Sequence, residues 1–138
     1  MVYYLAMKDF NDDHNCFVCG KKNAAGLQLE FCENRQSGEI EAQVVFPARL
    51  QGWQDTVHGG LLAAVLDETM IKAAAAAGIK CVTAEITVKY KKPAMIGTAC
   101  MVSGKVLEAR GRIVSAESRI GNDSGQVLAT ATGKLFRI

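Results

Sequence analysis

Residues 59–77 constrain the fold more than any other stretch of this chain. Leu61, Leu62, Ala63, Ala64, Val65, Leu66, Met70, Ile71 and the alanines at 73–77 cover nearly the whole circumference of a helix. A helix that is apolar all round is a buried one, so the remaining residues must enclose it. Gly78 is placed to end it as a C′ residue, and Lys72 and Lys80 near that end complement the helix dipole. At about 1.5 Å per residue, the helix is somewhat under roughly 30 Å long.

Most of the remainder reads as strands. Leu27, Leu29 and Phe31 alternate with Gln28 and Glu30, and after a break at residues 34–38 a second run, 40–46, closes at Pro47. Beyond the helix come 81–92, stopped by Pro93, then 99–107, 113–120 and 126–138. The turns at Ala109-Arg110-Gly111 and at residues 121–125 are short and polar or Gly-bearing, as hairpins require. One long buried helix and roughly six antiparallel strands have few ways to pack. The sheet must curl around the helix, which makes an α+β domain. Residues 1–26 are irregular and read as an N-terminal arm on a single domain of residues 27–138.

Composition narrows the function classes. The 138 residues suffice for one core but not two. With 49% hydrophobic and 22% charged residues, the chain is neither disordered nor fibrous. Its net charge of +2 comes from scattered Lys and Arg without a basic run, so nucleic acid is not an expected partner. The apolar patch from Met1 to Met7 lacks a basic lead-in and soon meets Lys8 and Asp9, so no secretory signal is expected, and no run approaches membrane-spanning length. Cys16, Cys19, Cys32, Cys81 and Cys100 are an odd number, which points to free thiols and a reducing compartment. A cytoplasmic protein without membrane contact is expected.

The sharpest chemical feature is Val57-His58-Gly59-Gly60 immediately before the buried helix. Glycines there expose backbone N–H groups at a helix N-terminus, where unpaired donors and the positive dipole end favour a developing negative charge. That is the physics of an oxyanion hole. The plainer alternative is that the glycines allow a tight lead into the helix and His58 caps it. Asp67 favours the chemical reading, because a carboxylate in an apolar helix carries a desolvation cost that a structural position avoids. Glu68 lies about 100° around the helix and four residues before Lys72, an ion-pair spacing.

Gly59 and Asp67 are eight residues apart, so about 12 Å separates them along one helix and they cannot both reach one carbonyl. Two helices lying antiparallel across a two-fold axis remove the difficulty. Gly59 of one chain then meets Asp67 of the other, with Gly60, Ala63 and Ala64 permitting close approach. Two equivalent sites at a dimer interface are expected.

His58-Gly59-Gly60, the apolar stretch to Asp67, and the downstream Thr83-Ala84-Glu85-Ile86-Thr87-Val88-Lys89-Tyr90-Lys91-Lys92-Pro93-Ala94 resemble the hotdog-fold thioesterase superfamily. The likeness is to its phenylacetate-pathway and 4-hydroxybenzoyl-CoA thioesterase branches. Cys16-Phe17-Val18-Cys19-Gly20, with Asn23 and Gly26-Leu27, is similar to an N-terminal signature of some members. The resemblance implies a hotdog sheet around the helix, homodimers or dimers of dimers (homotetramers), and hydrolysis of acyl-coenzyme A without metal or other cofactor. By position it implies that Gly59 polarises the thioester carbonyl, His58 assists, and Asp67 attacks the carbonyl or activates water. Some members carry Ser or Thr one turn beyond the carboxylate, where this chain has Ile71, and Thr69 is not an obvious substitute.

A coenzyme A ligand needs cations for its phosphates, and Lys89, Lys91, Lys92, Arg110 and Arg112 are the candidates. Gly60, Leu61, Leu62, Val65 and Trp53 are candidates to line the acyl space. His14-x-Cys16-x-x-Cys19 has a local metal-ligand spacing that Cys32 could extend, but no second paired element accompanies it, so the thiols are expected to pack the arm onto the sheet. An acyl-thioester dehydratase or hydratase and a non-catalytic acyl-CoA-binding protein are the competing readings. The first needs a His and a carboxylate arranged for proton transfer beyond the carbonyl, and a sensor is expected to carry an output domain.

Overall fold

A computed structural model describes residues 10–138; the apolar N-terminal patch discussed above lies outside the described residues. Six strands and one long helix follow in the order β1 (Cys32–Glu33), β2 (Ile40–Val45), α1 (Gly59–Ala76), β3 (Cys81–Tyr90), β4 (Ala99–Arg110), β5 (Ile113–Asn122) and β6 (Val127–Arg137). They form one sheet, ordered β1-β2-β4-β5-β6-β3, in which every neighbouring pair is antiparallel. This is the hotdog arrangement, a sheet wrapped around a central helix. Phe46, Leu66, Met70, Ile120 and Leu135 are fully buried between the two layers. The hydroxyls that enter this interior are satisfied by α1 carbonyls, Ser118 Oγ on Leu66 O at 2.8 Å and Thr69 Oγ1 on Val65 O at 2.7 Å.

The helix ends as its glycine demands. Gly78 has φ +80°, its N–H donates to Ala75 O, and Ile79 N–H reaches back to Ala74 O. That is a Schellman motif, in which only a residue tolerant of positive φ fits at C′. Lys72 does not serve the helix end; it lies beside Glu68, with Nζ 3.9 Å from Oε1.

Two expectations need correction. Residues 27–31 are not a strand, and β1 is only the following dipeptide. Their amides are satisfied by the arm instead, Leu27 N–H on Phe17 O at 2.8 Å and Leu29 N–H on Val18 O at 2.9 Å. The alternation is real, since Leu29 and Val18 are both buried in the core, but its partner is residues 17–18. Nor is the helix covered all round: Gly60 and Ala75 are exposed, and Ala63, Ala64, Asp67 and Ile71 are half-buried. Among the described residues of the single chain, one stripe of α1 is left open.

Candidate active site

The start of α1 is fixed by two neighbouring segments. His58 N–H donates to Leu50 O, Val57 N–H to Ala94 O, and Ile96 N–H to Asp55 O, so the loop is held by the 3-10 turn Ala48–Leu50 and by the segment after β3. His58 is the N-cap, its Nδ1 accepting from Gly60 N–H at 2.9 Å. Leu61 and Leu62 N–H both turn to His58 O. Of the four orphan amides of the first turn, Gly59 N–H alone has no acceptor among the described residues. A Cβ at Gly59 would lie 3.3 Å from the Tyr90 ring, a tight contact that the ring must relieve by a small shift, and the Tyr90 hydroxyl donates to Gly59 O at 2.7 Å. Gly52, Trp53, Val57, His58 and Gly59 line a notch at this point, and Trp53 is 88% exposed beside it.

Two turns along α1, Asp67 is half-buried and accepts a hydrogen bond from Thr83 Oγ1 at 2.5 Å. Burial raises its carboxyl above the ordinary value, and the Thr83 donor partly opposes this. The register of β3 against β6 shifts between Thr83 and Glu85, leaving Ala84 as an extra residue. This bulge inverts the strand's alternation. Thr83 before it and Ile86, Val88 and Tyr90 after it therefore share the helix-facing side, where Ile86 and Val88 pack against the core. The hydroxyl that relatives were expected to carry at position 71 thus comes to the carboxylate from β3. Ile71 packs partly against the core, and Thr69 is engaged within α1.

Glu68 faces the arm. Its Oε1 accepts from Cys19 Sγ at 3.2 Å and lies beside Lys72. Burial raises the Glu68 carboxyl, and burial together with Glu68 pushes the Cys19 thiol up to about 12. The Lys72 ammonium is lowered by burial but raised more by Cys19 and Glu68.

The other expected site residues divide by place. Gly60 is exposed, Leu61 packs partly against the core, and Leu62 and Val65 are buried within it. Lys89, Lys91 and Lys92 are exposed at the Tyr90 end of β3, near Gly59. Arg110 and Arg112 flank the β4–β5 turn, where Arg110 Nε lies 3.5 Å from Glu108 and Arg112 lies 5.8 Å above the Phe136 ring. Because Cys81 pairs with Arg137 and Ile113 with Phe136, these arginines sit at the opposite end of β3. At about 3.3 Å per residue, roughly 30 Å of strand separates them from the lysines. Thr83 and Tyr90 are the site residues that sequence reasoning missed. Their signal lay in the stretch Thr83 to Ala94, which carries the family resemblance but gave neither residue a role.

No helix among the described residues is long and apolar enough to cross a membrane. The sequence model of the thioesterase superfamily matches residues 54–129. Acyl-coenzyme A thioesterase THEM4 of Xenopus laevis is 28% identical over 113 residues, covering 80% of this chain and 51% of the relative. The chain spans about half the length of the curated relatives it matches. Among solved structures, the thioesterase superfamily protein RHA08564 superposes with a TM-score of 0.84 at 25% identity, over 96% of this chain and 68% of that one. The BH2602 protein from Bacillus halodurans, solved with CoA, does so with a TM-score of 0.73 at 26% identity, over 83% and 77%.

Proposed function

Because the chain belongs to the thioesterase superfamily, we propose that it hydrolyses acyl-coenzyme A at a site shared by two copies of the chain. Water and the thioester give a carboxylic acid and the free thiol of coenzyme A. Gly59 N–H binds the carbonyl oxygen and stabilises the charge that develops there, with His58 holding the turn that presents it. Asp67 of the partner subunit attacks the carbonyl or takes a proton from water. The observation that carries this reading is the one amide of the first turn left without an acceptor among the described residues, on the same helix as a half-buried carboxylate.

The two-chain arrangement rests on the open surfaces. Among the described residues, β3 is the outer strand beyond β6 with one side unpaired, and the uncovered stripe of α1 lies beside it. Pairing β3 with its two-fold mate covers both and sets the helices antiparallel. It also brings the partner's arginine end of the sheet to this chain's lysine end. Lys89, Lys91 and Lys92 of one copy, with Arg110 and Arg112 of the other, then bind the phosphates of coenzyme A. Trp53, Leu61 and Gly60 border the acyl group. Five free cysteines suit the reducing cytoplasm, where acyl-coenzyme A is the expected substrate.

The test is thiol release over short, branched, aromatic and long acyl-CoAs, for wild type and Asp67→Asn. Turnover of at least one substrate, abolished by Asp67→Asn with binding retained, is the expected result. Binding without turnover across the panel leaves a non-catalytic acyl-CoA-binding protein, and full activity in Asp67→Asn removes the carboxylate from the mechanism.

A further inference from the structure

Among the described residues, one group of thiol and carboxylate atoms is close enough to share a metal ion, and it is not the hydrolytic pair. Cys16 Sγ, Cys19 Sγ and a Glu68 carboxylate oxygen lie within 4.8 Å of one another, all partly shielded from solvent. Cys32 is exposed on β1 and outside the group. The second ligand element that the sequence lacked is a single residue of α1, 49 positions from Cys19.

The backbone around the thiols is folded as a ligand loop. Val18 N–H and Cys19 N–H both point at Cys16 Sγ, at 3.3 and 3.4 Å, and Gly20 N–H closes the turn on Cys16 O at 2.8 Å. Amides converging on one sulfur stabilise a thiolate more than a thiol. Gly20 is needed for this closure, since a Cβ there would lie 2.4 Å from Cys16 N. Lys72 Nζ sits 3.9 Å from Glu68 Oε1. Two thiolates and a carboxylate carry three negative charges, which a divalent ion and this ammonium together neutralise.

We propose that Cys16, Cys19 and Glu68 bind a zinc ion that fastens the N-terminal arm to α1. With Zn–S of about 2.3 Å and Zn–O of about 2.0 Å, the ligand atoms of a tetrahedral site lie roughly 3.5–3.8 Å apart, so the Cys19–Glu68 pair opens slightly from 3.2 Å and the wider pairs draw in from within 4.8 Å, shifts small enough for side-chain rotation. Zinc replaces the two thiol protons, one of which bridges Cys19 and Glu68 at 3.2 Å. Solvent supplies the fourth donor from the cavities that Cys19 lines with Asp12 and Lys72. Thiolates with a single carboxylate suit zinc rather than magnesium or calcium. The ion joins residues 16–19 to the residue next to Asp67, so its role is structural and stands apart from the hydrolytic reading.

The test is titration of the full chain, stripped of metal and kept reduced, with zinc chloride and separately with cobalt(II) chloride. Uptake of one ion per chain is expected, together with a thiolate-to-cobalt charge-transfer band, tetrahedral d–d absorption and a higher Tm. Cys16→Ser and Glu68→Gln are expected to abolish stoichiometric binding. Lys72→Met should weaken it roughly tenfold, as loss of an outer-shell partner does, and Cys32→Ser should leave it unchanged. Glu68→Gln keeps the shape of the helix surface, so it reads ligation even if Cys16→Ser fails to fold. No uptake by the wild-type chain, undiminished uptake by Glu68→Gln, loss of uptake in Cys32→Ser, or a Cys16–Cys19 disulfide in protein isolated under thiol-trapping conditions would overturn the assignment.

Discussion

Thr83 Oγ1 lies 2.5 Å from Asp67 Oδ1, joining the outer strand to the central helix through a contact that the bulge at Ala84 makes possible. Without that extra residue, Thr83 would face away from α1 while Ile86 and Val88 faced toward it. The hydroxyl both orients the carboxylate and favours its ionised form. Thr83→Val removes the donor while burial still raises the carboxyl. The acid limb of the pH profile of kcat/KM should therefore move to higher pH, and activity at neutral pH should fall by the order of tenfold, the scale of one hydrogen bond to a charged group. Thr83→Ser should restore the wild-type limb.

Asp67 should cost the folded chain stability at neutral pH. Its folded-state carboxyl is raised from 3.8, so the folded chain binds that proton more readily than the unfolded one. Stability from this group is greatest below the ordinary carboxylate range and declines as pH rises through the interval up to the folded value. Asp67→Asn carries no such penalty and can still accept from Thr83 through its amide oxygen. Thermal unfolding at neutral pH should show Asp67→Asn at least as stable as wild type, while its thiol-release rate is about 100- to 10,000-fold lower.

The fold was legible where local pattern and tertiary burial agree. The helix from 59 and the long strands from 81, 99 and 113 begin where periodicity and turns place them, because each is long and Pro93, Gly78 and Gly111 punctuate them. Residues 27–31 have a strand's alternation without a strand's partner, since the arm at Phe17 and Val18 takes their hydrogen bonds. His58, Gly59 and Asp67 could be singled out because each is anomalous in its own neighbourhood. Thr83 could not, because a bulge reverses its face and nothing in the local sequence announces the bulge. Tyr90 was hidden likewise, its partner Gly59 lying 31 residues away. Glu68 had an adequate explanation in Lys72, which concealed its second contact with Cys19.

Gly59 and Tyr90 should behave as one unit. Gly59→Ala places a methyl 3.3 Å from the ring, displacing the ring or the turn that presents the amide. Tyr90→Phe removes the hydroxyl bond to Gly59 O and should cost about 1 kcal/mol of stability. Gly59→Ala should reduce activity at least tenfold, roughly the loss of part of one oxyanion donor. Adding Tyr90→Ala to Gly59→Ala should destabilise the chain less than the sum of the two single changes. A double-mutant cycle on unfolding free energy measures this coupling.

The central claim, one site from two chains, is tested most directly by complementation. Asp67→Asn chains and Gly59→Ala chains, the latter retaining at most about a tenth of wild-type activity, are each shown to dimerise, then mixed and allowed to exchange subunits. In a mixed dimer, the intact Gly59 of one chain meets the intact Asp67 of the other at one of the two sites. With random exchange about half the dimers are mixed, so activity should return to roughly a quarter of wild type. Mixed dimers confirmed by mass spectrometry whose activity does not exceed that of the more active parent would contradict a site shared between the chains.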